Sequence, residues 1–102
     1  MARLLVLYNQ PADPAAFDRH YFHTHVSIAK KIPGLTSYTV SAGKPSMVAG
    51  SVSPYLIAEL DFASMEALQA AMASPEGQAA AADVAKFATG GVTLLVYDLR
   101  SV

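Results

Sequence analysis

Apolar and polar residues alternate along this chain with two different periods, and the changes of period mark out six elements. Leu4, Leu5, Val6, Leu7 and Tyr8 form an unbroken apolar run that ends at Asn9-Gln10-Pro11. Five residues is strand length, and the lack of alternation predicts burial on both faces. Asp13-Pro14 then combines an N-cap residue with proline at the first helical position. A helix is expected from there to about Ile32, where Pro33-Gly34 stops it. At about 100° per residue, Phe17, Tyr21, Thr24, Ile28 and Ile32 share one stripe, while His23, Val26, Ser27 and Lys30 face away. His25 sits on the shoulder of the stripe, one turn beyond Tyr21.

Residues 35–42 (LTSYTVSA) are rich in β-formers and predict a second strand. Residues 43–53 read as a long Gly-, Pro- and Ser-containing hairpin loop. Residues 54–62 predict a third strand, with Leu56, Ala58, Leu60 and Phe62 on one face and Tyr55, Ile57, Glu59 and Asp61 on the other. Ser64 caps a helix carrying Met65, Leu68 and Met72. Ser74-Pro75-Glu76 repeats the cap-plus-proline signal, so this helical region is expected to break there. Its second half carries Ala80, Val84 and Phe87 as its stripe, with Asp83 on the shoulder. Gly90-Gly91 ends it, and residues 92–99 (VTLLVYDL) predict a last strand, again apolar on both faces.

The order β-α-β-β-α-β is the ferredoxin-like, split βαβ pattern, an α+β fold with both helices on one face of a four-stranded antiparallel sheet. A single domain over residues 1–102 is expected. The other sheet face has no element of the chain left to cover it. Strands apolar on both faces therefore predict a homodimer joined through that open face.

Composition agrees. Hydrophobic residues make up 53% of the chain and charged residues 15%, against a usual charged fraction of roughly 25%. So few charges are a poor cover for the surface of a 102-residue domain. The net charge of −1 leaves no basic footprint for nucleic acid. With no cysteine, disulfides, thiolate zinc sites and a cysteine nucleophile are excluded. No apolar stretch reaches the roughly 18 residues of a membrane span, and the expected location is the cytoplasm.

The first helix holds most of the candidate chemistry: His20, Tyr21, His23 and His25. Histidine titrates near neutrality and serves as acid, base or metal ligand. The i, i+2 spacing of His23 and His25 points their rings to different sides of a helix, so no metal site is expected. His20 and His23 read as solvated surface. The shoulder position of His25 fits either a buried ring bonded to backbone or a general acid/base lining a largely apolar pocket. Tyr21 lies on the same side, as a core-edge residue or a substrate contact. Asp83 occupies the matching shoulder of the other helix. If the helices lie side by side, it can approach His25, raise the imidazole pKa and fix its tautomer. No phosphate-binding glycine loop and no serine-nucleophile elbow is present, and no cofactor is expected.

Three blocks together resemble the EthD family. The first is Asp13 to His25 (DPAAFDRHYFHTH) with Lys30-Lys31-Ile32-Pro33-Gly34-Leu35. The second runs from Phe62 through Leu68 to Ala73-Ser74-Pro75-Glu76-Gly77. The third is Ala82-Asp83-Val84-Ala85-Lys86-Phe87 with Gly90-Gly91-Val92. The resemblance implies a dimeric α/β barrel of two ferredoxin-like subunits. The family is named for a bacterial gene cluster that degrades ethyl tert-butyl ether beside a cytochrome P450 system. Fungal relatives resemble decarboxylases or dehydratases of aromatic intermediates. The family's histidine falls on His25, its aspartate on Asp83 and its phenylalanine on Phe87. The proline that usually follows the histidine is replaced by Ser27, and the residue before Phe87 is Lys86 where the family often has Asn.

Taken together, the expectation is a catabolic or secondary-metabolism protein that binds a small apolar or aromatic molecule. His25 and Asp83 would be catalytic, and Tyr21 and Phe87 would bind substrate. The reaction would be that of a cofactor-free lyase or an oxidoreductase-associated protein. The alternatives are a non-catalytic dimeric ligand-binding or accessory protein of a monooxygenase system and, on fold analogy alone, a haem-handling monooxygenase.

Overall fold

The N-terminal apolar run becomes an inner strand, β1 (Ala2–Tyr8), with antiparallel neighbours on both sides. A computed structural model describes residues 1–102. The other strands are β2 (Leu35–Val40), β3 (Leu56–Phe62) and β4 (Val92–Asp98), and the sheet order is β2-β3-β1-β4. Val6 pairs with Ala58 on one side and Leu94 on the other, so the helix-facing residues of three strands line up.

Each helix starts where the cap signals predict. Asp13 accepts from the Ala16 N–H at 3.1 Å at the head of α1 (Pro14–His20). Ser64 accepts from the Ala67 N–H at 3.1 Å to open α3 (Met65–Ala73). Ser74 accepts from the Gly77 N–H at 3.0 Å to open α4 (Pro75–Phe87). These bonds satisfy backbone donors that a helix start otherwise leaves unpaired.

The first helix differs from expectation in two ways. A π-helical turn (Tyr21–His25) follows α1 directly, and α2 (Val26–Ala29) completes the helix. The helix stops at Ala29, short of Ile32, and the chain turns into β2 through Gly34, whose φ of +81° favours glycine. The extra residue of the π turn also moves the buried stripe. Beyond Tyr21 it runs through His25 and Ala29, while Thr24 is exposed and Ile28 only half-buried.

The helices cover one sheet face. Ala2, Leu4, Val6 and Tyr8 meet Phe17, Tyr21, Leu68 and Phe87 in one core cluster. Each large side chain buried there stabilises the fold by about 1.5–3 kcal/mol. On the opposite face of β1, Leu5 and Leu7 are only half-buried. At one end of that face Arg3 Nε donates to Asp61 Oδ1 at 2.7 Å, and Glu59 lies 3.7 Å from the guanidinium. Burial of both faces, expected for the first and last strands, is not met within one chain. On β4, Leu94, Leu95, Val96 and Tyr97 are 46%, 48%, 46% and 37% exposed, so both faces of that edge are wet. No helix is long and apolar enough to cross a membrane.

Candidate functional site

The two helical layers meet at a carboxylate. Asp83, on the inner side of α4, is buried at 3% exposure. His25 Nδ1 lies 2.9 Å from its Oδ2, and His20 Nε2 lies 3.0 Å from both of its oxygens. The expected approach of Asp83 and His25 is therefore a direct hydrogen bond. His20, assigned from the sequence to solvated surface, makes a second one. On an unbroken α-helix five residues subtend about 140°. The π turn absorbs one residue and brings His20 and His25 to within about 40° of each other, measured around the helix axis. His23 remains exposed.

The environment sets the charge states. Burial lowers the pKa of His25, against the raising effect of the Asp83 carboxylate. Burial pushes Asp83 up, but the hydrogen bonds from His25 and His20 outweigh it and hold the carboxyl below its ordinary value. A neutral imidazole beside an ionised carboxylate donates from Nδ1, which leaves the Nε2 lone pair free. Nε2 has no protein partner, and no side-chain nitrogen or oxygen is sealed in the interior without one. His25 is only 5% exposed, and its ring belongs to the lining of the cavity described next.

The cavity lies between the helices and the sheet and holds about 70 Å³. Fifteen of its seventeen lining residues are hydrophobic, and no lysine or arginine is among them. Met72 and Leu94, 41% and 46% exposed, stand at its rim. Besides His25, the lining residues with a polar side-chain group are Tyr8, Tyr21 and Tyr38. The Tyr21 and Tyr38 hydroxyls hydrogen-bond to each other at 2.7 Å, and Tyr8 lies beside them in the lining. Burial raises the pKa of all three phenols, and the negative charge of an ionised neighbour would raise Tyr8 and Tyr21 further.

Of the residues singled out from the sequence, His25, Asp83 and Tyr21 come together here. Phe87 does not line the cavity. It packs behind it, 4.9 Å from the His25 ring and 5.1 Å from the His20 ring, and so fixes both imidazoles. Tyr8, Tyr38 and His20 were missed. Tyr38 pairs with Leu60 and so stands on the helix-facing side of its strand, a pairing that the sequence alone does not display. No group of three or more His, Asp or Glu is arranged to hold a metal ion. Both imidazoles spend a ring nitrogen on the carboxylate that would complete such a set.

The helix-on-sheet arrangement, with its β-α-β-β-α-β order, defines a ferredoxin-like protein. A structure described as a dimeric ferredoxin-like protein of unknown function from Thermobifida fusca shares this fold at a TM-score of 0.69 and 16% identity, over 96% of this chain and 90% of that one. Sequence narrows the class. The EthD domain profile matches residues 9–91, and the chain belongs to the EthD family. It is similar to an ethyl tert-butyl ether D (EthD) family protein of Bacillus halodurans, with a TM-score of 0.87 and 40% identity over 98% of this chain and 99% of that one. It is also 48% identical to an uncharacterised 11.0 kDa protein of the thcB–thcC intergenic region of Rhodococcus erythropolis, over 100% of this chain and 98% of the relative.

Proposed function

We propose that this EthD protein binds a small, neutral, mainly apolar molecule between its helices and sheet, and that His25 moves a proton to or from it. The observation that carries this reading is the His25 imidazole, its Nε2 unpartnered, in the lining of a cavity whose other side chains are apolar apart from three tyrosines. Asp83 acts through His25, holding its tautomer and ring orientation, and His20 and Phe87 hold Asp83 and the ring in place. An ionised ligand would lose its hydration with no cation in the lining to replace it, so neutral ligands are favoured. The chain also forms a homodimer in this proposal, through the sheet face opposite the helices, which leaves each subunit's cavity on its own helical side.

A titration followed by NMR tests the ligand class. Toluene should shift the resonances of His25, Tyr38 and Leu94, and benzoate, an anion of similar size, should leave them unmoved. Absence of any toluene effect at these residues contradicts the proposal.

A further inference from the structure

The hydroxyls and the imidazole have hydrogen-bonding capacity that the protein leaves unused. A tyrosine hydroxyl carries one proton. In the Tyr21–Tyr38 pair one hydroxyl donates to the other, so one O–H of the pair remains unspent. The Tyr8 hydroxyl has no protein partner at all and is not sealed off, and Tyr8 too is part of the cavity lining. The residues lining the cavity therefore carry two O–H donors with no protein acceptor, and one nitrogen lone pair with no protein donor. The donor from the pair is polarised by the hydrogen bond its oxygen accepts.

Two donors match the two lone pairs of a single oxygen, and the lone pair on His25 matches one acidic hydrogen close by. A carbonyl compound with a hydrogen on the adjacent carbon has both. At about 10–15 Å³ per water-sized group, a cavity of about 70 Å³ holds on the order of five to seven such groups, the size of a six-membered ring with its carbonyl oxygen.

We propose that the cavity is an enolising site for a neutral, single-ring-sized carbonyl compound, with His25 as the base and the Tyr8 hydroxyl and the Tyr21–Tyr38 pair as the oxyanion-binding donors. This rests on the cavity reading above and gives it a substrate class. In the step, His25 Nε2 takes a proton from the carbon next to the carbonyl. The C–H electron pair becomes the carbon–carbon double bond of the enolate, and the carbonyl π pair moves onto oxygen, where the hydroxyls hold it. The proton on Nε2 exchanges with solvent, and delivery of a solvent-derived proton from Nε2 to the carbon closes the cycle with no change of oxidation state.

The test uses the full chain with cyclohexanone in D₂O. Binding is read from the His25 and Tyr38 resonances, and exchange from loss of the ketone's α-proton signal. Wild type should bind cyclohexanone and accelerate exchange above the buffer rate. His25→Gln should bind and not accelerate it. Tyr8→Phe and the double variant Tyr21→Phe/Tyr38→Phe keep their rings and should still bind. Loss of an oxyanion donor should slow exchange in each by about a hundredfold. Binding without exchange in the wild type overturns the enolising site alone. Exchange that survives in both tyrosine variants overturns the role of the hydroxyls. Absence of binding removes the cavity reading, and this inference with it.

Discussion

Asp83 holds two imidazoles on one buried carboxylate, and the proton balance of that cluster makes the fold sensitive to acid. The folded-state pKa of His25 lies below its ordinary 6.5, chiefly because the ring is buried. On acidification the unfolded chain therefore takes up this proton first. The stability contributed by the neutral ring is fully present above about pH 6.5 and is lost as the pH falls from there towards the folded value. Asp83 titrates below its ordinary 3.8, so its contribution persists to lower pH and disappears only under strong acid. Urea midpoints at pH 8.0, 6.5 and 5.0 should decline for the wild type, with a smaller decline for His25→Gln. Equal declines in the two proteins would mean that His25 does not carry the effect.

Among the elements, the first helix departs furthest from regular geometry. The π turn spends five residues where an α-helix spends about four, and the surplus lies in exposed positions. Deleting His23, which is exposed and makes no side-chain bond, should convert the turn to α-helix while keeping His20 and His25 on the Asp83 side. Its thermal midpoint should stay within the roughly 4–8 °C that 1 kcal/mol represents in a domain of this size. A loss of the histidine–aspartate contacts in that variant would show that the turn itself is required. Most elements were legible because their signals are local: caps at Asp13, Ser64 and Ser74, glycines at Gly34 and Gly91, and two-residue alternation in β3. The π turn was not, because the apolar character of Ile28 supports the regular 3.6-residue period equally well. That single residue of phase hid the contact of His20 with Asp83. Tyr8 and Tyr38 were hidden for a different reason: their hydroxyls meet the site only across strand pairings that link distant parts of the chain.

On the scale of the whole molecule, the apolar surplus of the composition ends up on the side of the sheet away from the helices and along β4. Leu5 pairs across with Leu95, and Leu7 with Ile57, to form a patch bordered by the Arg3–Asp61 ion pair. A stable interface needs about 800 Å² from each partner, and an open four-stranded face can supply area of that order. Sedimentation should give a dimer for the wild type and a monomer for Leu95→Arg, and a monomeric wild type would leave the composition unexplained. The fold places the cavity on the other side of the sheet, so the site can be examined in either state. The proposed proton transfer requires one imidazole, that of His25, to be neutral, protonated at Nδ1 and open at Nε2. Long-range ¹H–¹⁵N NMR of His25 at pH 7 reads this directly. The expected spectrum shows the neutral Nδ1–H tautomer, reverting towards a mixture in Asp83→Asn. A wild-type ring that is charged, or protonated at Nε2 alone, would contradict the proposed base.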